Sequence, residues 1–452
     1  MKSTAEARKV LLFVCLFGLV LTANVVANNP PNQPSNDLPG DGTVIWTLAP
    51  ILWSSAFSDP DPSDTQASSQ WQVRSATGDY ATPLFDSGPV AALTHCCVPD
   101  GLLSNEQTYF WRVRHQDNQA SWSPYSDETA FTVTIGQWGW VQFSDSGPSL
   151  RYTAHGYDRE RDRGVVAVGM GEWTTANTDT WEWDGDSWTN TSLSGPVGRT
   201  AQRIPYDEAR GEMILFGGSI WATDTYLADT WTYDGVQWTQ KIVGGPSARM
   251  GHGFAYDSKR AKTILYGGLR YGTYYQDTWE WDGASWAQLS VAGLGNRAGS
   301  VMVYDPEQDK IVLFGGKTAH WDADCNDTWT WDGGAWALRA NGGPPARAFH
   351  AMAYDRIRGH TVIFGGEQAL GGTTLQQLGD TWEWDGTAWT QIAATGPHER
   401  AGAAMFYDEI RQSIILVGGC YGPSWSHTQT PLGDTWELRG DLPLVTQSAR
   451  FS

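Results

Sequence analysis

From Trp138 onward the chain carries a repeating pattern of apolar and polar positions. In each repeat a Tyr-Asp pair precedes an aliphatic run that closes in glycine, as in Ile214–Gly218 and Val362–Gly366. An Asp-Thr-Trp triplet follows, and in five copies a further tryptophan stands nine residues after its aspartate. Short apolar runs separated by Gly and Asp turns are typical of β-strands. Each repeat of roughly fifty residues therefore predicts four strands, which we call a to d.

One arginine marks each copy: Arg151, Arg199, Arg249, Arg297, Arg347 and Arg400. Trp140 stands eleven residues before Arg151, whereas Pro443 occupies the place where the sixth copy would have its last tryptophan. We therefore expect the strand around Trp140 to complete the sixth sheet. A single four-stranded sheet cannot bury both faces, but six in a ring can. The pattern predicts an all-β chain with a six-bladed β-propeller over residues 136–440 and a C-terminal tail over 441–452.

The repeat resembles the kelch repeat in its Gly-Gly pair, its aromatic residue before Asp-Gly (Trp183, Tyr233, Trp281) and its tryptophan five residues further on. It is similar to the repeats of the galactose oxidase propeller. The first copy departs from the pattern with Val168-Gly169, and the sixth departs with Leu438 at the aromatic position. The resemblance implies a kelch-type propeller, a fold that often binds proteins or peptides.

Residues 43–135 predict a small β-sandwich of short alternating strands. Within Tyr109–Arg114, Phe110 and Arg112 face one way, while Tyr109, Trp111 and Val113 face the other. Leu103 lies six residues before Tyr109, a spacing that resembles the tyrosine corner of immunoglobulin-like sandwiches, in which the phenol bonds the backbone just upstream. The segment is similar to fibronectin type III domains. Residues 28–42, rich in Asn, Pro and Gly, predict an extended linker.

Residues 1–27 have the layout of a secretory signal peptide: a basic start, an apolar run over Val10–Leu21 and small residues at Val25–Ala27. The run is too short to span a membrane. We therefore expect export to the periplasm or the extracellular space. The formal net charge of −20 disfavours nucleic acid and anionic membranes as partners.

The segment between the glycine pair and the Asp-Thr-Trp triplet, the b–c loop, varies most in length among the copies. Variable loops on a rigid scaffold commonly carry recognition. Aromatic rings beside polar and carboxylate groups suit stacking on sugars, although long loops can also bury their own aromatics. The candidate residues are Trp221, Tyr226, Tyr271, Tyr274, Tyr275, His320, Trp321, Asp322, Asp324, Trp425 and His427.

Three other sets of residues are candidates. Among the marker arginines, Arg151, Arg249 and Arg347 could bind an acidic ligand, or they could pair with the repeated aspartates of the scaffold. His155, His252 and His350 lie early on strand a of alternate copies and could form a metal or acid–base site, or pack singly. The register of His155 is ambiguous because the first copy is one residue shorter. Asp59, Asp61 and Asp64 could bind calcium or form a solvated turn.

These features favour an exported binding protein that holds a glycan, a matrix polymer or a protein on its b–c loops. The alternative is an extracellular carbohydrate-active enzyme on the same fold. A copper oxidase would need two Tyr, two His and a Tyr–Cys crosslink, and the sequence offers Cys420 beside Tyr421. A sialidase-like hydrolase would need an arginine cluster, a tyrosine nucleophile and a carboxylic acid. No catalytic residue or cofactor is assigned.

Overall fold

The structure is a computed structural model. It describes residues 28–91, 94–99, 101–170, 176–191, 193, 195–200, 203–319, 323–370, 374–392, 396–422 and 429–442. Within these residues the one helical segment is a single 3₁₀ turn, Trp221–Thr223. All other regular structure consists of β-strands, so the prediction of an all-β chain is confirmed.

Six four-stranded antiparallel sheets account for most of residues 137–442. Their strands, from a to d, are as follows. Sheet 1 has Ala154–Asp158, Arg163–Met170, Ala176–Trp183 and Trp188–Asn190. Sheet 2 has Tyr206–Asp207, Glu212–Phe216, Thr230–Tyr233 and Trp238–Lys241. Sheet 3 has Gly253–Asp257, Lys262–Tyr266, Thr278–Trp281 and Trp286–Leu289.

The remaining three sheets repeat the same order. Sheet 4 has Val301–Asp305, Lys310–Phe314, Asp327–Trp331 and Trp336–Asn341. Sheet 5 has Ala351–Asp355, His360–Phe364, Thr381–Trp384 and Trp389–Ile392. Sheet 6 has Ala404–Asp408, Ser413–Val417, Thr435–Leu442 and Gln137–Ser144. In sheet 6 the d strand comes from the start of this region, and Trp140 lies opposite Leu438. This is the pairing that the sequence predicted for the strand around Trp140.

A repeated hydrogen bond joins neighbouring sheets. The tryptophan that begins or lies in strand d donates its indole N–H to the threonine of the Asp-Thr-Trp triplet in the preceding sheet. The pairs are Trp238–Thr180 (2.9 Å), Trp286–Thr230 (3.0 Å), Trp336–Thr278 (3.1 Å), Trp389–Thr328 (2.7 Å), Trp140–Thr381 (2.9 Å) and Trp188–Thr435 (2.9 Å). The last pair joins sheet 1 to sheet 6. These six tryptophans therefore join neighbouring sheets.

The b–c loops of five sheets contain short two-stranded hairpins. These are Ser219–Ile220 with Thr225–Tyr226, Leu269–Arg270 with Thr273–Tyr274, Lys317–Ala319 with Ala323–Asp324, Glu367–Ala369 with Leu375–Gln377, and Cys420–Tyr421 with Thr430–Pro431. The loops that differ most in sequence are therefore built on short β-ladders.

Two further sheets precede sheet 1. One contains Asn36–Leu38, Ile51–Ser54 and His95–Cys97. The other contains Thr43–Ile45, Thr129–Val133, Gln107–Asp117, Gln66–Ser75, Phe85–Asp86 and Val90–Ala91. The Tyr109 phenol accepts the backbone N–H of Ser104 at 2.8 Å, so the predicted bond to the upstream backbone is confirmed. Burial alternates along Tyr109–Val113 as the pattern predicted.

The prediction that residues 28–42 form an extended linker is wrong for Asn36–Leu38, which pairs with Ile51–Ser54. Leu38 is 4% exposed, and the Asn36 amide donates to Thr129 Oγ1 at 2.8 Å. One buried apolar residue in a polar segment shows no periodicity, so the sequence could not reveal this edge strand.

The N-terminal sheets pack on the a–b turn of sheet 5. The Trp53 indole donates to the Arg356 carbonyl at 3.0 Å, and the Arg356 guanidinium lies 4.0 Å from the centre of the Trp53 ring. The Ile51 N–H donates to the Ile357 carbonyl at 2.9 Å. Ile51 and Ile357 are both buried, so apolar burial and directional bonds hold the two parts together.

Candidate functional site

A pocket of about 220 Å³ opens among the b–c loops of sheets 2 and 3. Its aromatic wall comes from Trp221, Tyr226 and Tyr274, which are three of the residues that the sequence singled out. The remaining lining residues are Ser219, Ile220, Asp224, Met250, Leu269, Gly272, Ala298, Lys317 and Phe349. We call this site the aromatic pocket.

A tight hairpin turn in the b–c loop of sheet 3 positions part of the wall of the aromatic pocket. Tyr271 and Gly272 both have positive φ, +47° and +76°, which is the requirement of a two-residue type I′ hairpin turn. This turn holds Leu269–Arg270 against Thr273–Tyr274. The Tyr271 hydroxyl donates to the Asp224 carbonyl at 3.1 Å, and its ring lies 4.7 Å from that of Tyr226. Tyr271 thus braces the neighbouring loop without lining the pocket itself.

The floor of the aromatic pocket is charged. Lys317 Nζ lies 3.2 Å from Asp324 Oδ1 and 3.4 Å from Glu367 Oε1, and the lysine is 8% exposed. Asp324 also accepts the backbone N–H of Ala369. Burial, followed by the charge of Asp324, raises the pKa of the Tyr274 phenol, so the phenol remains a neutral hydrogen-bond donor at neutral pH.

Several predicted residues lie elsewhere. Tyr275 is half-buried beneath the Arg249 guanidinium, 4.2 Å from its ring centre, and belongs to the scaffold. His320, Trp321, Asp322, Trp425 and His427 lie outside the described residues. Lys317 and Phe349 line the pocket but did not stand out in the sequence, because a lone lysine or phenylalanine carries no motif.

Of the two alternatives for Arg249 and Arg347, the structure shows the pairing with the repeated aspartates of the scaffold. Arg249 bonds Asp277 through two nitrogens at 2.6 and 2.9 Å and donates to the Gly267 carbonyl at 2.7 Å. Arg347 repeats the arrangement with Asp380. Burial acts to raise the pKa of Asp277, but the bonds and charge of Arg249 outweigh burial and hold that pKa below its usual value. Both arginines are fully buried scaffold groups.

Arg151 departs from this arrangement because the first copy is one residue shorter. The Leu150 carbonyl accepts the Gly419 N–H, whereas the Arg249 carbonyl accepts the corresponding Gly218 N–H. Leu150 therefore occupies the marker position. The backbone of Arg151 forms an isolated β-bridge with Met170, as the backbone of Ala401 does with Cys420 in sheet 6. The Arg151 side chain donates from Nη1 to Gln429 Oε1 at 2.9 Å. A slip of one residue turns a side chain to the other face of a strand, so Arg151 is not equivalent to the other five arginines.

The three predicted histidines do not form a metal-binding group. Among the described residues, the only set of three potential ligands with atoms within 4.8 Å of one another is Asp59, Asp64 and Asp117. His155 and His350 border one small cavity, and His252 packs between Phe216 and Phe254. Burial lowers the pKa of each histidine to about 3, with nearby arginine charges acting in the same direction.

The acidic cluster differs from the predicted one by a single member. Asp61 accepts the N–H of Asn29 at 2.8 Å and lies outside the group of three. Asp117 takes its place, although it is fully buried and accepts the backbone N–H groups of Gln119 and Ser121 at 2.8 Å each. Asp117 lies more than fifty residues away in sequence, so local spacing could not include it.

Cys420 and Tyr421, the neighbours that a copper oxidase crosslink would need, lie in different environments. Cys420 is buried, and its thiol donates to the Ala401 carbonyl at 3.6 Å. Tyr421 is 39% exposed, and its ring lies 4.5 Å from that of His398. Cys96, Cys97, Cys325 and Cys420 are all free thiols. These contacts describe a packed cysteine and a surface tyrosine.

Comparison with known proteins gives a fold and no family. No family model matches the chain, and no curated protein matches it. Among solved structures, 185 chains match. One is the structure of YjhT, with a TM-score of 0.53 and 14% sequence identity over 64% of this chain and 95% of that chain. The likeness is one of fold alone, and the sheets described above are consistent with a β-propeller-like fold. Among the described residues, no helix is long and apolar enough to cross a bilayer.

Proposed function

We propose that the chain is an exported, six-bladed kelch-type propeller, preceded by a fibronectin type III-like sandwich, that binds a glycan in the aromatic pocket. The ring is supported by the six Trp–Thr bonds, because their partners follow one another from sheet to sheet and return from sheet 1 to sheet 6. Export is supported by the sequence pattern of residues 1–27.

The aromatic pocket is the observation that carries the glycan proposal. Trp221, Tyr226 and Tyr274 provide flat apolar faces, which suit the C–H face of a sugar ring, while Ser219, Asp224 and Lys317 provide polar groups for its hydroxyls. The concave shape favours a small ring over a protein partner, since protein interfaces are larger and flatter. The position on variable loops agrees with a recognition role.

A glycan array followed by titration of the best hit tests the proposal. Removal of a stacking ring by Trp221→Ala or Tyr274→Ala should weaken binding at least tenfold, because the ring supplies about 1.4 kcal/mol or more of stacking and burial energy. Tyr421→Ala is the matched control. Its ring lies on another b–c loop, is 39% exposed and does not line the pocket, so affinity should stay unchanged. An array without hits, or hits that survive both pocket substitutions, would refute the glycan proposal.

A further inference from the structure

A second pocket, of about 130 Å³, lies among the a–b turns, at the end of the sheets remote from the aromatic pocket. It is lined by the inner strands of all six sheets. The tyrosine of every repeated Tyr-Asp pair contributes to its wall: Tyr157, Tyr206, Tyr256, Tyr304, Tyr354 and Tyr407. Burial raises the pKa of all six phenols, so they are neutral at physiological pH. We call this site the tyrosine pocket.

Arg203 lines this pocket at a position where no other copy has a charged residue. It stands four residues before the repeated aspartate of sheet 2. The other five sheets have small residues at that position: Ala154, Gly253, Val301, Ala351 and Ala404. A long cationic side chain therefore stands where every other copy has a small, uncharged one. Residues found in every copy are most simply scaffold, whereas a singular residue in a cavity calls for a separate explanation.

The Arg203 guanidinium has no carboxylate partner among the described residues. Its Nη1 donates to the Met352 carbonyl of sheet 5 at 2.5 Å, and this is its one bond to those residues. Burial lowers the pKa of Arg203 to about 10, so the group is still a cation at neutral pH. Arg203 is half-buried, and a charge partly removed from water without a carboxylate partner lowers stability. The five marker arginines that occupy the standard position, by contrast, each have an aspartate.

The other charges of the tyrosine pocket neutralise one another. Arg159 pairs with Glu208 and, through Nε at 3.3 Å, with Glu409. Glu409 also pairs with Arg356 at 2.8 Å, so two arginines face two glutamates. Glu208 lines the pocket but is committed to this pair. Arg203 therefore contributes a positive charge that is not matched inside the pocket, in a chain whose formal net charge is −20.

We propose that the tyrosine pocket binds a small organic carboxylate, held by the guanidinium of Arg203 and enclosed by the tyrosine rings. The planar guanidinium matches a carboxylate in two parallel hydrogen bonds. One unpaired cation balances one negative charge, so a monocarboxylate fits better than a doubly charged phosphate. Apolar ring faces suit the hydrocarbon part of such an acid. This site is independent of the glycan proposal, since it lies at the other end of the sheets.

Calorimetric titration of the purified protein with acetate, benzoate and inorganic phosphate, at constant ionic strength in chloride, tests the proposal. We expect saturable binding of a carboxylate by the parent protein and loss of that binding in Arg203→Gln. In Arg203→Lys the affinity should fall at least tenfold, because lysine keeps the charge but lacks the planar guanidinium that donates two parallel hydrogen bonds. Arg270→Gln changes an exposed arginine near the aromatic pocket and should bind like the parent protein.

Three results would overturn the proposal: no carboxylate binding, equal binding by Arg203→Gln, or tighter binding of phosphate than of either carboxylate. Failure of Arg203→Gln to fold would also overturn it, since the guanidinium would then be a scaffold group. Thermal unfolding of that variant gives a second readout. Removal of an unpaired cation should leave the melting temperature unchanged or raise it, and carboxylate should raise it only in the parent protein.

Discussion

At the scale of single residues, His155, His252 and His350 are each 4–6% exposed and packed beside the inner strands of sheets 1, 3 and 5. The folded protein holds their imidazoles neutral, because burial lowers their pKa values to about 3. In the unfolded chain the same groups titrate near pH 6.5. Between these two values the unfolded state binds more protons, so the free energy of unfolding falls as the pH falls through that window.

This difference predicts early acid sensitivity. At pH 5 each buried histidine should lower the free energy of unfolding by about 2 kcal/mol relative to pH 7. His252→Gln should remove about that much of the loss, measured by denaturant unfolding at both pH values. His398, which is 64% exposed, is the control for the substitution itself, and His398→Gln should change the free energy of unfolding at pH 7 by less than about 0.5 kcal/mol. An equal loss in His252→Gln and the parent protein would contradict the assigned protonation states.

The sequence predicted the role of single residues best where their place in the repeat was clear, and least well where a residue occurs in only one copy. Trp221, Tyr226 and Tyr274 were found because they lie in a loop of variable length. Arg151 was grouped with the other arginines because a shortened copy shifts the register without changing the local motif. Arg203 was overlooked because its importance depends on which strands face the same cavity.

At the scale of strands and sheets, each sheet is tied to its neighbour by a buried indole-to-threonine bond. Trp286 of sheet 3 donates to Thr230 of sheet 2 at 3.0 Å, and Thr230 is 2% exposed. Valine has nearly the shape of threonine, but it has a methyl group where threonine has the hydroxyl that accepts this bond. Loss of the acceptor leaves a buried indole N–H without a partner, which costs the desolvation energy of that group.

Thr230→Val should therefore destabilise the protein by about 1–3 kcal/mol. The matched control is Thr239→Val in strand d of the same sheet, since Thr239 is exposed and its substitution should change stability by less than about 0.5 kcal/mol. Denaturant unfolding of the two variants gives the comparison. Equal stability of Thr230→Val and the control would show that these bonds do not hold the sheets together.

Sheet strands were readable from sequence because apolar alternation and Gly-Asp turns recur in each copy. The b–c hairpins were predicted as loops, since strands of two or three residues are too short to show a period. The pairing of Asn36–Leu38 escaped for the same reason. The hydrogen bond from the Ile51 N–H to the Ile357 carbonyl joins backbone atoms, which leave no trace in a side-chain pattern.

At the scale of the whole molecule, two pockets lie at opposite ends of one set of sheets. The aromatic pocket depends on loops that differ between copies, and the tyrosine pocket depends on inner strands of all six sheets. Both assignments require the six sheets to surround a common axis. They also require Gln137–Ser144 to serve as the outer strand of sheet 6.

A crystal structure of the purified protein tests this arrangement most directly. We expect six four-stranded sheets in a closed ring, with Gln137–Ser144 hydrogen-bonded to Thr435–Leu442 and Trp188 bonded to Thr435. Five or seven sheets, an open arc, or residues 137–144 paired elsewhere would contradict the account and remove the basis for both pockets.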